Sequence, residues 1–186
     1  MKKITFSIAL VAIGFAGFAQ IPEFKNTPMI LKADGTLDKL EKQSASIRDK
    51  GGSNPFANAY SYGATAKSVQ FISITGAESP VKVDPSVKFV FKANDAEVDP
   101  EGVFIVYEAV IAKKMREVYV KKDFGRNVKD KEVSLSFEKI QPGVYKITPQ
   151  NLKPGTEYGI VPNTEGASKI VYLFGTTGEK PKGKKK

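Results

Sequence analysis

The sequence predicts an all-β protein: an antiparallel sandwich preceded by an N-terminal extension. Three observations carry that prediction. Short runs rich in β-branched and aromatic residues recur at even intervals, roughly eight of them in about 110 residues between Ser68 and Phe174. No part of that span sustains a helical period. No connection is long enough to carry the crossover helix of a parallel sheet.

The runs follow in order. Residues 68–74 form the first and stop before Gly76. Residues 87–92 alternate, placing Val87, Phe89 and Phe91 on one face. Residues 103–111 are almost continuously apolar, which fits either a central strand covered on both faces or a bend with a bulge. Residues 117–121 come next, then a basic turn at Gly125, Arg126 and Asn127. Residues 132–138 alternate again, with Val133, Leu135 and Phe137 pointing one way. Residues 143–148 and 158–161 flank a Pro-Gly turn, and residues 169–174 close the series at Gly175.

That Pro-Gly turn is the most specific signal in the body. Pro154 presets φ for the second position of a β-turn, and Gly155 supplies the positive φ that a type II turn needs at the third. Leu152, Pro154, Gly155, Thr156 and Tyr158 together form a Leu-x-Pro-Gly-Thr-x-Tyr pattern. It resembles the tyrosine corner of fibronectin type III and related immunoglobulin-like sandwiches. The resemblance implies that Leu152 plugs the core and that the Tyr158 hydroxyl reaches back to a backbone group while the chain changes sheets. The other reading is a plain hairpin, with Tyr158 an ordinary strand aromatic. The fold class is thus all-β, an antiparallel immunoglobulin/fibronectin III-like sandwich with an N-terminal extension. The chain has no Trp, so Phe89, Phe91, Phe104 or Phe137 must fill the core volume that such domains usually give to one.

The first residues read differently. Lys2 and Lys3 precede an apolar run over 4–18, and Gly17, Phe18 and Ala19 make a small-x-Ala cleavage site before Gln20. This is a secretory signal peptide over 1–19, with cleavage after Ala19. The apolar run is shorter than the ~20 residues of a spanning helix, so no transmembrane segment is expected. The mature chain is expected to be periplasmic or extracellular. Residues 20–64 read as an extension: an irregular lead-in, then an Asp34-Gly35 hairpin signal. Beyond it, Leu37, Leu40, Ser44 and Ile47 fall at helical spacing, while the Asp-Gly argues for a strand that frays after Gln43. Gly51, Gly52 and Pro55 break the chain, and 56–66 reads as a linker or draped segment. The sandwich domain then covers 65–178.

The formal net charge of +9 falls to +7 without the leader, and to +3 without the lysine-rich tail 179–186. The tail cannot bury enough apolar surface to order itself, so it reads as disordered. A second basic group comprises Lys113, Lys114, Arg116, Lys121, Lys122 and Arg126. Both features read as a solvated face and a solubilising tail, with weak contact to anionic polymers as the functional option. No basic-aromatic pattern suggests nucleic acid.

Catalytic options are few. The chain has no His and no Cys, which excludes the common nucleophile-base pairs and zinc sites and leaves the core to hold the fold without disulfides. Asp95, Glu97, Asp99 and Glu101 alternate in one loop and form a weak Ca²⁺ candidate, although the spacing is not that of an EF-hand. Otherwise the loop is a solvated acidic turn, and no other cofactor is expected. A carboxylate pair drawn from Asp95, Asp99, Glu101 and Glu108 is the corresponding option for sugar cleavage. The leading expectation is a secreted, non-enzymatic module with a binding or structural role, its partner an unknown protein or glycan of the envelope, contacted by loops such as 95–102 and 123–130. The alternative is a carbohydrate-active enzyme or an accessory carbohydrate-binding domain.

Overall fold

The structure is a computed structural model that describes residues 20–50, 69–121, 131–163 and 168–179. The leader, the linker at 51–66, the basic turn at 125–127 and the tail at 180–186 lie outside the described residues. The strands are β1 (Met29–Leu31), β2 (Leu37–Lys39), β3 (Glu41–Lys50), β4 (Val69–Thr75) and β5 (Lys82–Val83). Next come β6 (Lys88–Lys92), β7 (Phe104–Glu108), β8 (Val110–Ala112), β9 (Met115–Lys121) and β10 (Glu132–Val133). The series ends with β11 (Leu135–Gln141), β12 (Val144–Pro149), β13 (Glu157–Pro162) and β14 (Ser168–Thr176).

A smaller sheet runs in the order β11-β12-β6-β1-β2, and a larger one in the order β10-β7-β13-β14-β3-β4-β9-β8. Among the described residues every strand pair is antiparallel except the short parallel pair of β5 with β14. The main core lies between the sheets. Phe89, Phe91, Tyr145 and Ile147 of the smaller sheet meet Phe104, Val106, Tyr158, Ile160 and Phe174 of the larger. Phe91 packs edge-on against Phe104 at 5.0 Å, and Phe89 lies 5.1 Å from Phe174. Three of the four phenylalanines expected to replace a tryptophan are thus completely buried, while Phe137 packs on the cluster from its edge.

The larger sheet also folds back on itself. β3 pairs with β14 from Glu41 to Ser46 and with β4 from Ile47 to Lys50, so this one strand bends from one layer into the next. β9 then packs on the outer face of β7 and β13. A second apolar cluster fills that space, including Ile72, Ile74, Val118, Val161 and Leu173. Covered on both faces, β13 is buried from Glu157 to Val161. Gly159 makes the close approach possible, because a Cβ there would meet Val118 Cγ2 at 3.0 Å and Val171 Cγ1 at 3.2 Å.

Residues 20–50 are built into both sheets: β1 and β2 extend the smaller sheet and β3 joins the larger. The small polar residues of β3 hide a strand held by ladder bonds rather than by apolar alternation. The run 132–138 divides at Ser134, with β10 pairing β7 in one sheet and β11 pairing β12 in the other. For the run 103–111 the second of the two readings holds, a bend: the run breaks at Ala109, whose N–H turns to Glu157 O at 2.8 Å. The Asp34-Gly35 hairpin is present between β1 and β2, with Gly35 at φ +83°.

β12 and β13 belong to different sheets, and the turn between them has Gly155 at φ +62°. Tyr158 is buried, and its hydroxyl accepts the Lys153 N–H at 2.7 Å. Burial pushes its pKa up, so it stays protonated. Leu152 lies in the main core. Tyr158→Phe keeps the ring and strands the Lys153 N–H. The expected loss is about 1–3 kcal/mol, read as a lower urea midpoint at unchanged slope.

Candidate functional site

The acidic loop is a set of local turns. Asp95 Oδ1 accepts Glu97 N–H at 3.2 Å, and Asp99 Oδ1 accepts Glu101 N–H at 3.0 Å, capping the short 3₁₀ turn Pro100–Gly102. All four carboxylates are exposed. Among the described residues, no three acidic side chains gather as a cation site requires. Glu108 lies elsewhere and is already neutralised, its oxygens 2.5 Å from Lys131 Nζ and 2.6 Å from Lys153 Nζ. Burial pushes its carboxyl up, but the two lysines outweigh burial and hold it below the ordinary value. A general acid needs the opposite shift.

The basic group also disperses. Lys113 and Lys114 sit exposed at the tip of the β8–β9 hairpin, both at positive φ. Arg116, two residues on, is the largest fully buried side chain among the described residues. Its two Nη atoms each lie 2.8 Å from one Glu41 oxygen. Its Nε donates to Gly76 O at 3.1 Å, and Nη2 donates to Thr75 O at the same distance. Glu157 Oε2 lies 3.7 Å from Nη1 and accepts Ser79 N–H at 2.8 Å, while Oε1 meets Lys82 Nζ at 2.5 Å. This network ties β3, β9, β13 and the chain before β5 together. It is a structural clasp: its charges are paired and its donors used. The signal for it in the sequence is that Arg116 shares a strand face with Val118.

A surface open to a ligand lies at the N-terminal side of the sandwich. The lead-in from Gln20 to Pro28 stands off the sheets and leaves a groove of about 1040 Å³ above β2, the start of β3 and β14. The segment is pinned at both ends. Gln20 N–H donates to Gly35 O at 3.2 Å, and Leu37 N–H donates to Gln20 Oε1 at 3.3 Å. Further along, Asn26 N–H donates to Lys92 O at 2.7 Å, and the Tyr172 hydroxyl lies 3.4 Å from Asn26 O and Thr27 Oγ1. Between the anchors Ile21 and Phe24 stay 49% and 58% exposed, facing the same groove as Ile170 at 41%. Lys39 and Lys42, both exposed, contribute to its wall, and neither has an ion-pair partner among the described residues. Sequence reading passed over these residues because the lead-in carries no periodicity.

Comparison with known proteins gives no match to a family model, a curated protein or a solved structure. Among the described residues, no helix is long and apolar enough to cross a membrane.

Proposed function

We propose that the chain is an exported, non-catalytic binding module of immunoglobulin/fibronectin III-like type, acting in the cell envelope or outside the cell. The groove is its binding surface. The partner is an extended protein segment that alternates apolar with acidic side chains. One observation carries this reading: Ile21, Phe24 and Ile170, three of the five large apolar side chains exposed among the described residues, converge on one groove beside Lys39 and Lys42.

Single exposed apolar residues carry no message, whereas a cluster in a concavity marks a contact surface. The groove has the size of sites that bury most of a ligand. Lysines without partners select an acidic visitor and speed its approach. The leader at 1–19 supports export, and the Tyr158 corner supports the family-level likeness. Aromatic platforms for sugar stacking are few along the groove, which weighs against a glycan.

The test is fluorescence anisotropy of the mature protein with a labelled peptide alternating leucine and glutamate. Its lysine-for-glutamate counterpart, soluble glycans and anionic vesicles serve as competitors. The acidic peptide is expected to bind, and Phe24→Ser and Lys42→Glu each weaken it about tenfold, or ~1.4 kcal/mol, without changing the melting temperature. Binding indifferent to both substitutions, or a preference for glycan or vesicle, would overturn the proposal.

A further inference from the structure

We infer that Gln20 is a modification site: once exposed as the first residue, it closes to pyroglutamate, and the ring seals the open edge of β2. The inference rests on the export reading, because cleavage after Ala19 is what makes Gln20 the N-terminus. It then draws on geometry. β2 is the last strand of the smaller sheet, and among the described residues no strand pairs with its outer edge. Gly35 C=O and Leu37 N–H flank Thr36 and point to the same side of that edge. Gln20 takes both: its own N–H donates to Gly35 O at 3.2 Å, and its Oε1 accepts Leu37 N–H at 3.3 Å.

These two atoms, N and Oε1, are the ones that a pyroglutamate ring retains. In the closure the neutral α-amine attacks Cδ, the N–Cδ bond forms and the Cδ–Nε2 bond breaks. The amine keeps one hydrogen and gives the other to the departing nitrogen, which leaves as ammonia. No oxidant or cofactor is needed. A free α-amine with an ordinary pKa of about 7.7–8.0 has a neutral fraction for this attack near pH 7. The product holds its N–H and C=O on the same side of a rigid ring, matching the Gly35 and Leu37 pair with one donor and one acceptor. Closure also removes a terminal positive charge and fixes side-chain torsions that an open glutamine must order on docking. Exposed strand edges invite unwanted pairing, and a capped edge does not.

The experiment uses the full chain, leader included, produced in a host that exports it. The N-terminal peptide of the recovered protein is measured by mass spectrometry and by Edman degradation. The expected peptide begins at residue 20, is one ammonia lighter than the open form and resists Edman degradation. Hydrogen exchange at the Leu37 amide adds a structural readout. It is expected to be at least about tenfold faster in Gln20→Asn, which cannot close the five-membered ring, a difference of ~1.4 kcal/mol. A peptide that begins at residue 20 with an open glutamine overturns the inference alone. A peptide that begins at residue 1 overturns the export reading, and one that begins at any other residue overturns cleavage after Ala19; either takes this inference with it. Equal exchange at Leu37 in the two proteins overturns the edge-sealing role.

Discussion

Arg116→Met is expected to destabilise the protein by about 3–5 kcal/mol, measured by urea denaturation of the mature chain. The guanidinium is 1% exposed and forms a two-pronged pair with Glu41 at 2.8 Å on both arms. Methionine fills much of the volume but supplies no charge and no donors. Glu41 and Glu157 both lose the guanidinium they share, and among the described residues Lys82 alone remains paired with Glu157. The Gly76 carbonyl loses the Arg116 Nε donor, and the Thr75 carbonyl is left with the longer bond from Gln43 Nε2 at 3.4 Å. Arg116→Lys restores the charge but not the fork, so a loss of about 1.5–3 kcal/mol is expected from the missing charged hydrogen bonds. Adding Glu41→Gln to Arg116→Met should recover part of the loss, because the stranded charge disappears with its partner.

The same clasp sets an acid limit. Burial pushes the Glu41 carboxyl up, but hydrogen bonds from Arg116, Ser79 and Gln43, with the Arg116 charge, outweigh it and hold the net value below the ordinary 4.5. A carboxyl depressed in the folded state contributes stability that is complete above its unfolded value. That contribution fades as pH falls through the folded one. Glu108 adds a contribution of the same sign. The urea midpoint is therefore expected to be flat from neutrality down to about pH 5 and to drop below it. In Arg116→Met the Glu41 share of the drop should vanish.

Phe174→Ala is the second large loss, about 3–5 kcal/mol. The ring is completely buried, 5.1 Å from Phe89 of the opposite sheet and stacked on Tyr158 at 5.4 Å. Removing it opens a cavity between the sheets and loosens the ring whose hydroxyl holds Lys153. Part of the measured cost should be shared with Tyr158→Phe, so the double variant is expected to fall short of the sum. Phe24→Ala, on the exposed groove wall, serves as the control and should stay within about 0.5 kcal/mol of the parent.

Strand content was legible because alternation is local: Val87, Phe89 and Phe91 declare a buried face without reference to any other part of the chain. The turn at Pro154 and Gly155 was legible for the same reason, since its backbone demands fall on two adjacent residues. What escaped depends on partners distant in sequence. β3 has few apolar residues and exists as a strand because β14 and β4 offer it ladders. Arg116 looks like one more surface cation until Glu41, 75 residues away, is placed beside it. The groove escaped too, because its apolar residues come from the aperiodic lead-in and from a strand near the other end of the chain.

The bend of β3 also bears on when the molecule can fold. β14, a central strand of the larger sheet, pairs Ser168 with Ser46, so a strand near the end of the chain closes on one near its start. Without β14, β13 loses one neighbour and β3 loses its first half. The larger sheet therefore cannot close until β14 has been made, and distant pairings of this kind form slowly. Until β14 emerges, the first half of β3 and one side of β13 have no ladder, so the middle of the larger sheet is the last part of the molecule to form.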